Sequence, residues 1–196
     1  MSFYFVQYLE LFILTLRRPS DAALWVMRQK VNAQAGWLAL ILVSILGTLL
    51  VQLSFALQPD EVRDIFAAAL ESPLRMALVQ GVFLVCSVFA LHIFGKIAGG
   101  QGRIEDALAL MVWFQVTLIV LQIGQVVLTI VFPLAGEMAS LLVFAVFFWI
   151  LTHFTMALHG FKSVWLVLFG LLLALFGFAI VMVFVLVTLI LPLIGA

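Results

Sequence analysis

A chain of 196 residues that is 67% hydrophobic and only 9% charged is not a water-soluble globular domain. Such domains carry roughly 45–50% apolar and about 25% charged residues, and their exteriors must tolerate water. Nine basic residues balance nine acidic ones, so no net field draws the chain to nucleic acid. The implied solvent is lipid, which makes the bilayer its first partner.

The first apolar stretch, residues 3–16, has no basic segment before it. Arg17 and Arg18 follow in place of a small-residue cleavage site, so it does not read as a signal peptide. Gln7, Glu10 and Arg17 leave one narrow polar stripe on a helix of Phe, Tyr, Leu and Ile, which is expected to lie flat in the membrane interface. Beyond Pro19, Ser20 and Asp21 are expected to cap a second short helix bearing Leu24, Trp25, Met27 and Val31. Arg17, Arg18, Arg28 and Lys30 are placed to contact anionic headgroups. Residues 1–34 thus read as a cytoplasmic amphipathic region, and residues 35–196 as a transmembrane domain.

That domain is legible from the placement of charge, because an ionic side chain at the bilayer centre is expensive and about 20 apolar residues suffice to cross. Long uncharged runs cover residues 31–59, 76–95, 107–136, 138–161 and 163–196. In lipid each must be a helix to satisfy its own backbone. The expectation is an all-α polytopic membrane helix bundle with five transmembrane helices near 36–57, 74–95, 107–132, 138–158 and 164–191. Proline is tolerated at helix ends and first turns. Pro19, Pro59, Pro73, Pro133 and Pro192 all fall at such boundaries, with Ser72 a possible cap before Pro73. Between the first two spans, Val62, Ile65, Phe66, Ala69 and Leu70 make the apolar face of an outer interfacial helix. Cys86, the single cysteine, lies in an apolar run and reads as a small packing residue.

Basic residues are retained on the cytoplasmic side. Arg17, Arg18, Arg28, Lys30, Lys96, Arg103 and Lys162 fall on one side of the expected topology, and only Arg63 and Arg75 on the other. The N-terminus is therefore expected in the cytoplasm and, with an odd number of spans, the C-terminus outside.

Three local patterns resemble the Yip family of Ypt/Rab-interacting membrane proteins, in its short bacterial branch. They are the entry segment from Ile13 to Ala23, broken at Pro19; the Gly95-Lys96-Ile97-Ala98-Gly99-Gly100-Gln101-Gly102 turn; and five spans with His159-Gly160-Phe161-Lys162 before the last. The resemblance implies a five-helix bundle. Eukaryotic members carry a long N-terminal region and an Asp-Leu then Gly-Pro signature; neither dipeptide occurs here, so GTPase binding is not carried over.

Within the spans, Gln115, Gln122, Gln125 and Thr129 lie along one side of the third helix. Lipid cannot satisfy amides, so these are expected to hydrogen-bond to neighbouring helices or to line a hydrated crevice. Gln52, Gln80 and Gln125 sit at similar depth and suggest an outer polar layer. His92 and His153 suggest a matching pair near the cytoplasmic ends, either bonded to carbonyls or forming a proton or metal site. Without a carboxylate or cysteine nearby that pair is an incomplete metal shell, and no metal or cofactor is expected. Gly99, Gly100 and Gly102 match no phosphate-loop pattern and are assigned to a tight turn. Gly170, Ala174 and Gly177 form a small-residue groove for helix packing within the chain or between copies.

The spans contain no set of residues for intramembrane proteolysis, and no carboxylate lies deep in any span. No catalytic residue is assigned. The leading reading is a non-enzymatic protein that binds a partner, protein or second copy, or organises the inner membrane. The alternatives are a small-solute transporter or channel beside the third-span glutamines, and a lipid-handling protein.

Overall fold

A computed structural model describes residues 2–57 and 72–185. Among these residues it has seven helices and no strand. They are α1 (Ser2–Arg17), α2 (Pro19–Arg28), α3 (Ala33–Ala56), α4 (Pro73–Ile97), α5 (Ile104–Val131), α6 (Pro133–His159) and α7 (Val164–Val185). The outer helix expected around residues 62–70, Pro59, and the end of the fifth span with Pro192 lie outside the described residues.

Local chemistry sets most boundaries. Pro19, Pro73 and Pro133 each occupy a first helical turn, where a missing N–H does no harm. Ser72 Oγ caps α4 by accepting the Arg75 N–H at 3.3 Å. Asn32 caps α3, its Oδ1 accepting the Gln34 N–H at 2.9 Å. The expected Ser20 cap is not formed. Arg18 is the residue before α2 and caps nothing with its side chain, because Pro19 opens the helix one step earlier and contributes no N–H to be capped. Between α5 and α6 the connection is Phe132 alone, so α6 starts before the expected 138 and takes Glu137 into its helix. Gly136 makes this tight reversal possible, since a Cβ there would lie 2.7 Å from the Thr129 Cα.

The helices α3, α4, α5 and α6 are each long and apolar enough to cross a bilayer, and α7 is an apolar helix of 22 described residues. Each spanning helix packs on the next in sequence, and α5 holds α3 as well as α6. Phe114 of α5 meets Phe147 and Phe154 of α6 edge-on, at ring separations of 5.1 and 6.3 Å. Large apolar side chains cover the outside, Ile97 at 78% and Trp165 at 80% exposure. In water so much continuous apolar surface would drive aggregation; in lipid it is the ordinary exterior of a spanning helix.

The first two helices are built into this bundle. Leu11, Ala22, Ala23 and Val26 belong to the same buried core as Leu40, Val88, Phe114 and Phe154. The inward face of α2 is Pro19, Ala22, Ala23 and Val26, and Leu24 and Val31, expected on its apolar face, are exposed. Steps of three, one and three residues put the small side chains on one stripe, which lets α2 approach α6 and α5 closely. Two indoles fasten the hairpin: Trp113 Nε1 donates to Thr15 Oγ1 at 2.9 Å, and Trp149 Nε1 to the Leu16 carbonyl at 3.3 Å.

Candidate functional site

The α4–α5 connection is held by a side chain from α6. Helix α4 ends in a left-handed Gly99 (φ 88°), with the Gly100 N–H bonded to Gly95 O at 2.8 Å and the Gly99 N–H to Lys96 O at 3.0 Å. This paired closure is the usual helix stop at glycine. Buried His159 then inserts beneath the loop. Its Nδ1 accepts the Gly102 N–H at 3.2 Å, so that nitrogen carries no proton, and its Nε2 donates to Leu91 O at 3.1 Å. The imidazole packs so closely on Gly95, Gly100 and Gly102 that a Cβ on any of them would strike it. The turn reading of Gly99 accounts for one glycine; Gly100 and Gly102 are small because His159 needs the space. His159 is not legible as a site residue in the sequence because its partners lie 57 and 68 positions away. The one signal in the sequence is a glycine cluster after one span and a histidine closing another.

The two histidines singled out by depth are not joined by any hydrogen bond or ring contact. His153 Nδ1 lies 2.7 Å from the Trp149 carbonyl of its own helix, and its ring sits 4.0 Å from that indole. His92 Nδ1 is buried with no partner among the described residues. Nor do Gln52, Gln80 and Gln125 hydrogen-bond to one another. Gln52 Nε2 reaches Met76 Sδ at 3.7 Å, Gln125 borders a small hollow of about 90 Å³ with Ser54 and Thr129, and Gln80 faces a larger space.

That larger space is a cavity of about 620 Å³ between α3, α4, α5, α6 and α7. It falls within the roughly 300–1,000 Å³ of small-molecule pockets. Phenylalanines 83, 94, 114, 147, 161 and 169 form much of its wall. Gln80, Gln115 and Gln122 supply amides, Ser87 and Thr155 hydroxyls, and no charged residue lines it among the described residues. Both hydroxyls donate back to carbonyls of their own helices, Phe83 and Leu151. Gln122 Nε2 donates weakly to Ser54 Oγ at 3.4 Å. The side-chain amides of Gln80 and Gln115 hydrogen-bond to no other described residue, and Gly47 leaves room for the Gln115 amide, 3.1 Å from where a Cβ would be.

The small residues of α7 serve this space. Gly170 and Ala174 line the cavity, and a Cβ on Gly170 or Gly177 would meet nothing within 4 Å. The expected close packing of another backbone on this groove is therefore not found within the described residues. Among the described residues the extensive contacts of α7 are with α6 alone, which leaves its α4-facing side to the cavity.

The chain matches the family model described as the Yip1 domain over residues 13–193. No curated protein and no solved structure matches it. The match runs from the end of α1 through α7, taking in α2, the glycine turn held by His159 and the cavity, and on that evidence this multi-pass membrane protein belongs to the Yip1-domain family.

Proposed function

We propose that the chain is a non-enzymatic protein of the bacterial inner membrane with five spans, its N-terminus in the cytoplasm and its C-terminus in the periplasm. Its task is to organise the cytoplasmic face of that membrane and present a docking platform there. One observation carries this reading. The α1–α2 hairpin is clamped to the spans by Trp113 and Trp149, and its outward side shows Tyr8, Leu9, Ile13 and Leu24 beside exposed Arg17, Arg18, Arg28 and Lys30. A fixed amphipathic surface with a basic rim suits anionic headgroups and a partner, either another protein or a second copy. Deleting residues 1–34 is a poor test, because it removes core residues. A photoreactive residue at Leu24 is better. In cells it is expected to cross-link one stoichiometric partner, and changing Arg17, Arg18, Arg28 and Lys30 to Gln is expected to abolish the adduct. An adduct-free chain, or one indifferent to the four changes, contradicts the reading.

A transport reading has one observation in its favour: Gln122 borders both hollows, so its bond to Ser54 separates them. If Gln115, Gln122 and Gln125 are replaced by Leu and solute flux in reconstituted vesicles is unchanged, that reading fails.

A further inference from the structure

We propose that the 620 Å³ cavity is a binding site for one uncharged membrane lipid whose carbonyl oxygens accept hydrogen bonds from the Gln80 and Gln115 amides. The inference is independent of the docking platform.

The shape selects a long apolar molecule. On α4 the lining extends from Gln80 to Gly95, about 22 Å along the axis at the rise of an α-helix. Much of the hydrocarbon depth, about 30 Å, is thus covered. Access is sideways from the bilayer, since among the described residues the extensive contacts of α7 are with α6 and not with α4. The smallness of Gly170 and Ala174 keeps the space open.

The polar groups select the chemistry. An amide facing an apolar wall with no partner is unfavourable, and two of them face this cavity from different helices. Gln80 lies about 10 Å from the Pro73 end of α4, and Gln115 about 16 Å from the Ile104 end of α5. Both are far deeper than a charged headgroup rests. With no cation or carboxylate among the described lining residues, the occupant must bring neutral acceptors, and amide N–H groups donate to carbonyls. Two lipid classes share that chemistry, diacylglycerols and isoprenoid quinones. The aromatic wall, with Phe94, Phe114 and Phe169 among it, accepts either a chain or a flat ring.

The experiment uses the purified full-length protein in phosphatidylcholine nanodiscs with two photoreactive probes, a diacylglycerol and a quinone of matched length. Cross-linked peptides are located by mass spectrometry. Labelling is expected within α4, α5 and the Val164–Gly177 part of α7, and whichever probe labels at lower concentration names the class. Q80L with Q115L is expected to weaken that probe about tenfold, the effect of losing about one hydrogen bond's worth of binding. An ether analogue without carbonyls should bind the wild type as weakly as the carbonyl probe binds the double variant. G170F fills the cavity without displacing any neighbour within 4 Å of the new Cβ and is expected to abolish labelling, whereas L172F on the exposed side is not. Should either glutamine change prevent folding, G170F against L172F still decides. Labelling spread over the outer surface, equal labelling by the ether analogue, full competition by phosphatidylglycerol, or labelling that survives G170F each overturns the proposal.

Discussion

His159 joins backbone segments that are remote in the chain, and its two nitrogens have different jobs. Replacing it by Ala orphans the Gly102 N–H and opens space under the loop. The loss is expected to be about 2 kcal/mol, read as a lower midpoint in detergent-induced unfolding. Gly95→Ala approaches the same contact from the other side, by overpacking the imidazole. It should destabilise by about 1–3 kcal/mol. Gly124 is also helical, but nothing lies within 4 Å of its missing Cβ. Gly124→Ala is therefore expected to be neutral or to stabilise by up to about 1 kcal/mol. If Gly95→Ala and Gly124→Ala behave alike, close packing around His159 is not what fixes residue 95 as glycine.

At the scale of the element, the hairpin is fastened by few bonds and by small side chains. Thr15→Val removes the acceptor of the Trp113 indole, and Trp113→Phe removes the donor. Each is expected to lower stability by about 1 kcal/mol. The double variant should be less destabilised than the sum, because both changes break one bond. Full additivity would mean that the bond contributes nothing. These helices also show which kinds of information the sequence carries. Charge and proline mark where α3, α4, α5 and α6 run, since lipid excludes charge and proline interrupts hydrogen bonding whatever the neighbours are. Partners across the bundle leave no such mark. The fully buried face of α2 is two alanines, a proline and a valine, whereas a search for large apolar residues finds Leu24, which is exposed, and Trp25, which is only partly buried against the core. In lipid the large residues have no reason to turn inward, and small ones admit a neighbour. For the same reason the amides of α5 are visible in the sequence as a stripe, while the cavity that Gln115 and Gln122 line is not, because its walls come from five helices.

For the whole molecule, lipid is the common cause of an apolar exterior, a self-satisfied backbone and polar atoms gathered inside. Most serine and threonine hydroxyls, including those of Thr48, Ser54 and Thr117, return to carbonyls of their own helices, as groups without water do. The proposed orientation then follows from the distribution of basic residues, and it governs both the docking platform and the side from which the hairpin is reached. It is tested most directly by replacing Cys86 with Ser and placing single cysteines at Val62 or Gln101. Intact cells are then exposed to a thiol reagent that crosses the outer but not the inner membrane. The account expects position 62 to be labelled from outside and position 101 only after lysis. Labelling of 101 but not 62 in intact cells would contradict it.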